Sequence, residues 1–214
     1  MEEKEKFEEY RRQNPNELTD KQFAAVLDEM EHPKAGLISD EYLDFKLWCK
    51  GMPSRQEAFA DFISKWLAPD RGKKILEVGA GRTARLSRLL AAKGYQMTGM
   101  DPQLEIDSSE EDAKTNIRRI RAAFDYQTAD LTEYDYVVAQ EPCEATEHIV
   151  RAATEQGIPF LMVLCGVPHS LISGEMPEDV YAWYDYLQEI AGEDVSLLYL
   201  PLYGKSRTAV MVRD

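Results

Sequence analysis

Two hydrophobic periods divide this chain. Over roughly the first seventy residues the apolar positions recur at helical spacing. Phe23, Val26, Leu27 and Met30 form one stripe, and Phe59, Phe62, Ile63, Trp66 and Leu67 form another. Between them Tyr42, Leu43, Phe45, Leu47 and Trp48 make a third apolar run. Thr19 with Gln22, and Ser54 with Glu57, are capping boxes, in which each side chain answers a backbone N–H that the first helical turn leaves unpaired. Pro33, Gly36 and Pro69 read as stops. The aromatic residues of these helices read first as packing.

From Lys73 the texture changes to short apolar runs that alternate with helical stripes. Ile75 to Val78, Tyr95 to Met100, Ile117 to Phe124, Tyr134 to Ala139 and Pro159 to Cys165 read as strands. Helices are expected over Thr83 to Lys93, closed by Gly94, over Glu144 to Gln156, closed by Gly157, and over Pro177 to Ala191. Glu105 to Lys114 reads as a short polar helix or a loop. Val195 to Leu202 and Thr208 to Arg213 are two further strands, joined by the short Tyr203 to Arg207 connector, which suits an antiparallel hairpin. Alternating strands and helices imply an α/β fold with a mainly parallel sheet. The chain thus divides into a helical extension, 1–53, expected as a lid, and an α/β domain, 54–214.

Composition narrows the partners. The 214 residues suffice for one well-buried domain. A net charge of −14 disfavours a polyanionic partner, so no nucleic acid is expected. The longest apolar run, Pro159 to Val167, is too short to span a bilayer, and the charged N-terminus has no apolar segment of a secretory signal. Three cysteines, Cys49, Cys143 and Cys165, have no metal-ligand spacing, so no metal site and a reducing, cytoplasmic setting are expected.

The chemistry concentrates in ILEVGAGRTA, Ile75 to Ala84. A strand, a glycine turn and a helix bring backbone N–H groups to the mouth of a sheet, where a nucleotide can approach closely. Asp101 follows Gly81 by 20 residues, at the end of the second strand, where an acid can accept hydrogen bonds from ribose hydroxyls. Gly79, Gly81 and Ala84 also match a dinucleotide pattern. Glu77 argues against that reading: a carboxylate beside a pyrophosphate is repelled, whereas beside a sulfonium and an ammonium it is favoured. Thr83 stands where a third glycine is common and is expected to cap the following helix.

With ILEVGAG (75–81), MTGMDP (97–102), FD (124–125) and DYVVAQEPC (135–143), the chain resembles the class I S-adenosylmethionine-dependent methyltransferases over about three-quarters of its length. The resemblance implies a three-layer Rossmann-like fold, with a seven-stranded, mainly parallel sheet in which one strand is reversed. It implies S-adenosyl-L-methionine as cofactor. Glu77, Gly79, Ala80 and Gly81 would shape or contact the methionine end, Asp101 and Pro102 the ribose, and Asp125 the adenine, with Asp130 as a competitor. Gln140 and Glu141 would lie beside the transferable methyl.

The acceptor is less legible, and a small molecule is expected. Glu141 can accept a hydrogen bond from an amine or hydroxyl, or simply cap the helix that follows. His169, in the loop after the fifth strand, is the best-placed histidine for a base. His32 and His148 read as helix-surface residues. Tyr42, Trp48 and Met52 either fold over the cofactor or pack among the helices. Cys143 and Cys165 fall where RNA C5-cytosine methyltransferases carry cysteines, but the flanking residues and the acidic charge disagree. The same loop would also suit a protein that binds S-adenosylmethionine or its demethylated product without catalysis, or a nicotinamide-dependent oxidoreductase.

Overall fold

The computed structural model describes residues 3–15, 17–33, 38–67, 72–105, 117–202 and 208–213. Gly36, Pro69, most of the polar stretch before Lys114 and the Tyr203 to Arg207 connector lie outside these residues.

Four helices open the chain: α1 (Glu3–Gln13), α2 (Asp20–Glu31), α3 (Asp40–Cys49) and α4 (Arg55–Trp66). Both capping boxes form as the sequence predicts, with Thr19 and Ser54 accepting from the backbone of Gln22 and Glu57. α1 carries only Phe7 and Tyr10 as buried residues among charged neighbours, so its apolar pattern is thin. Phe7 lies 4.9 Å from Phe23 and 5.0 Å from Phe45 between ring centres, and these rings bind α1, α2 and α3 together. Tyr42 and Trp48 belong to this aromatic packing, and Met52 is exposed.

The strands and remaining helices follow in alternation: β1 (Lys74–Val78), α5 (Arg85–Ala92), β2 (Gln96–Met100), β3 (Ile117–Ile120), β4 (Tyr136–Gln140), α6 (Ala145–Gln156), β5 (Phe160–Val163), α7 (Val180–Ala191), β6 (Val195–Leu200) and β7 (Thr208–Arg213). The sheet order is β3-β2-β1-β4-β5-β7-β6. Only β7 runs against its neighbours, pairing antiparallel with both β5 and β6. β3 is shorter than its sequence suggests and ends at Ile120. Beyond it Arg121 donates to the Leu104 carbonyl.

The period of two along each strand assigns the two faces. Ile75, Val138, Leu161, Val163, Val210 and Val212 pack on one face against Phe59 and Ile63 of α4 and Leu86 and Leu90 of α5. Leu76, Val78, Val137, Ala139, Phe160, Met162 and Met211 pack on the other, against Ile149 and Ala153 of α6 and Trp183 and Leu187 of α7. The result is the expected three-layer α/β sandwich. Glu77 shares the parity of Ile75, so its side chain is directed toward α5. Phe160 is fully buried at the sheet centre. Truncating Phe160 to alanine should therefore cost about 3–5 kcal/mol, read as a lower denaturant midpoint at unchanged slope.

Candidate functional site

The chain lays β2 and β3 on one side of β1 and β4 on the other, so the crevice between the C-terminal ends of β1 and β4 is the topological switch point. Two turns face each other across it. Gly79 has φ +75°, and a Cβ placed there would come within 3.2 Å of both Cα and Cβ of Pro142. Glycine is therefore required for conformation and for space. Gly81, at φ +65°, faces open space. The loop is held from β2: Gly79 and Ala80 donate to the Met100 carbonyl at 2.9 and 3.2 Å. Gly81 N–H donates to Asp101 Oδ2 at 3.0 Å, and Gln103 N–H to Asp101 Oδ1 at 2.7 Å.

Glu77 is 2% exposed, at the base of this loop. Its carboxylate accepts from the hydroxyl and the backbone N–H of Ser87. Ser87 is the third residue of α5, whose N-cap is Ala84 in the left-handed region with no side-chain cap. Thr83 thus does not cap the helix. Glu77 reaches across from β1 and supplies that acceptor instead. Burial pushes the Glu77 carboxyl up to about 7, against the Ser87 hydrogen bonds. For a carboxyl raised from 4.5, this contribution to stability is complete below pH 4.5 and is lost as the pH climbs through 7.

Two adjoining cavities open at this crevice. The larger, about 990 Å³, runs past Gly79, Gly81, Asp101 and Pro102 to Phe124, Asp125 and His148. The smaller, about 200 Å³, lies over Glu77, Ala80 and Gly81 and reaches Gln140 and Glu141. Both are roofed by the N-terminal helices: Gln22, Asp40 and Glu41 line each of them. Eight sequence-predicted residues, Glu77, Gly79, Ala80, Gly81, Asp101, Pro102, Asp125 and Gln140, therefore line the two adjoining cavities, and Glu141 joins them. His169 does not. It is exposed and lines neither cavity, and its N–H is tied to Glu144 at 3.2 Å. Asp130 is also elsewhere, closing a local turn with the N–H and hydroxyl of Thr132. His148 is half-buried rather than a surface residue. Its Nδ1 accepts from Tyr126 N–H at 3.2 Å and lies 3.5 Å from Asp125 Oδ1, so the ring braces the Asp125 turn.

Sequence reasoning missed the ion network behind Glu141. Arg55 is 4% exposed. Its Nη1 meets Glu141 Oε2 at 2.7 Å and Asp40 Oδ2 at 3.1 Å. Its Nε lies 3.4 Å from Asp44 Oδ1, a charge contact without hydrogen-bond alignment, and Asp44 Oδ1 also accepts from Arg55 N–H at 3.0 Å. Arg85 repeats the arrangement with Glu17, and its Nη1 lies 4.0 Å from Asp44 Oδ2. Burial pushes the carboxyls of Glu17 and Asp44 up, against the pull of Arg85 and Arg55 respectively. Glu141 itself has φ +52°, a strained value for a residue with a side chain, so the turn is held by its partners.

No protein-family profile matches the chain, and no curated protein sequence is significantly similar to it. Solved structures do match. The glycopeptide N-methyltransferase MtfA, solved with S-adenosyl-L-methionine, superposes with a TM-score of 0.50 at 15% identity, over 73% of this chain and 92% of that one. The phosphoethanolamine N-methyltransferase 2 of Haemonchus contortus, solved with S-adenosylhomocysteine, gives 0.49 at 16% identity, over 76% of this chain and 44% of that one. A Leishmania major S-adenosylmethionine-dependent methyltransferase gives 0.49 at 18%, over 78% and 75%. The chain spans less than half of the Haemonchus enzyme. The fold is that of the class I methyltransferases, as the resemblance in sequence implies. Among the described residues no helix is long and apolar enough to cross a membrane.

Replacing Arg55 with alanine leaves Asp44 and Glu141 without their buried partner. A loss of about 3–5 kcal/mol in unfolding free energy is expected, and Arg55→Lys should recover part of it. Chemical denaturation of both variants checks this.

Proposed function

We propose that the chain is an S-adenosylmethionine-dependent methyltransferase acting on a small-molecule acceptor. The observation that carries this reading is the pair of adjoining cavities at the β1/β4 switch point, floored by Gly79 and Gly81 and flanked by Asp101, Asp125 and Glu77. The volume of the larger is in the range of cofactor sites. The residues present fit this cofactor. A ligand can approach the loop at Gly81, where a side chain is missing and the space is open. Each carboxylate oxygen of Asp101 serves one backbone N–H and keeps lone-pair capacity for a ribose hydroxyl. Asp125, braced by His148, is an acceptor for the adenine amino group, with Phe124 as an apolar neighbour.

The bound cofactor would supply an electrophilic methyl on a sulfonium. The chain's own task is then to position a nucleophile and to favour positive charge. Glu77 does the second from below the loop, and it speaks against the pyrophosphate of a nicotinamide cofactor. Glu141, oriented by Arg55, accepts a hydrogen bond from the acceptor's N–H or O–H. Arg55 fixes the Glu141 carboxylate by a 2.7 Å hydrogen bond, so the role of Glu141 is to orient the acceptor. The helices of 1–53 act as the lid. Asp40 and Glu41 give the smaller cavity an acidic rim. C5 chemistry at Cys143 is disfavoured, because the neighbouring Cys165 pushes its thiol up. The engaged state of Glu141 keeps a second reading in view, a protein that holds the cofactor or its product without transfer.

Transfer of labelled methyl from S-adenosylmethionine into a metabolite extract tests the activity. Incorporation that requires Glu141 supports an enzyme, and cofactor binding without incorporation from any extract supports the binder. Asp101→Ala should weaken cofactor affinity by about tenfold or more, since a charge-assisted hydrogen bond contributes about 1.5–3 kcal/mol. An unchanged dissociation constant would show that Asp101 serves the loop alone. Because the Glu77 carboxyl lies near 7, a cationic ligand binds better once it ionises. Affinity should rise up to about tenfold between about pH 6 and pH 8, and Glu77→Gln should flatten the profile.

A further inference from the structure

Cys143 and Cys165 are far apart in sequence and meet at the edge of the cavity. β4 and β5 are parallel neighbours with Gln140 opposite Val163, and Glu141 N–H donates to the Val163 carbonyl at 3.0 Å. Both chains leave the sheet at this edge, and the cysteines follow within three residues. Cys143 is exposed and has φ +51°, and its Sγ lies 3.4 Å from the Glu141 carbonyl oxygen. The Cys143 side chain and N–H lie beside the Cys165 sulfur, while the Cys143 thiol donates to the Glu141 carbonyl. The buried Thr146 hydroxyl, which makes no hydrogen bond among the described residues, lies near the same sulfur.

The Cys165 sulfur thus sits against the first turn of α6, among donors that favour a thiolate. Its thiol is held down to about 7, chiefly by the neighbouring Cys143 side chain and against burial, while Cys143 is pushed up. One sulfur is ready to act as a nucleophile near neutral pH, and the other keeps its proton beside it. Neither role is used by the proposed methyl transfer.

We propose that Cys143 and Cys165 are an oxidation site, a dithiol that hydrogen peroxide closes to an intramolecular disulfide at the wall of the cofactor cleft. The Cys165 thiolate attacks one peroxide oxygen and the O–O bond breaks. Hydroxide leaves and takes a solvent proton, and Cys165 is left as a sulfenic acid. The Cys143 sulfur then attacks the Cys165 sulfur. The S–S bond forms, the S–O bond breaks, and the Cys143 proton leaves with hydroxide as water. Two thiols lose two electrons, and one peroxide becomes two waters. The new bond pins the Glu141 to Glu144 turn, whose Pro142 packs against Gly79.

The test uses the folded full chain and its Cys49→Ser variant. Each is treated with hydrogen peroxide, alkylated and mapped by mass spectrometry. The expected result is a peptide joining Cys143 to Cys165 in both proteins, with two thiols lost, of three in the parent and of two in the variant, and both restored by dithiothreitol. Cys165→Ser should slow loss of the Cys143 thiol by about tenfold or more. Full alkylation of both cysteines after peroxide, a sulfinic acid at Cys143 without cross-link, or a bond to Cys49 would overturn the proposal.

Discussion

The Arg55 guanidinium is 4% exposed, so its charge must be answered by protein rather than by water. Removing such a group from water costs several kcal/mol even after relaxation. The cost is met by converging three carboxylates on one side chain: Asp40 and Asp44 from α3, and Glu141 from the turn after β4. That convergence fixes the start of α4, the roof helix α3 and the strained Glu141 turn in one arrangement. Arg85 and Glu17 repeat the device one helix away. The roof of the cavity and the turn that would hold an acceptor are therefore bound to each other by buried charge, and neither can shift without exposing the other's unpaired group.

Beneath this network, a single carboxylate organises the loop. Strand parity turns Glu77 toward α5, where it accepts from Ser87 and substitutes for a cap that Ala84 cannot provide. Asp101 does the corresponding work from β2 by accepting from Gly81. The glycine loop is thus shaped by two acids before any ligand arrives. Preorganised acids at the positive end of a sulfonium ligand cost no rearrangement on binding, which is the electrostatic logic of the proposed site.

Much of this is legible in the sequence because it is local. Alternation marks the strands of the sheet, the two capping boxes mark the starts of α2 and α4, and the glycine turn with Glu77 and Asp101 marks the loop. What is not legible has physical causes. α1 hides because two aromatic residues among charges make no stripe. Thr83 stands where a cap for α5 is expected, but the chain turns left-handed at Ala84, and the cap comes from Glu77, ten positions before Ser87. His169 is suitable by chain position, yet its loop is tied to Glu144 and it lines neither cavity. Arg55 and Glu141 pair across 86 residues, which no periodicity reports. One signal is present: Arg55 and Arg85 each open a helix, where the macrodipole disfavours a cation. An arginine there implies an acid brought from elsewhere.

The central claim is that this crevice holds a sulfonium nucleoside rather than a dinucleotide. Isothermal titration of the full chain with S-adenosylmethionine, its demethylated product and NAD addresses it directly. Saturable binding of the first two, with no response to NAD, is the predicted result. Tight binding of NAD with no heat from either of the others would contradict the account.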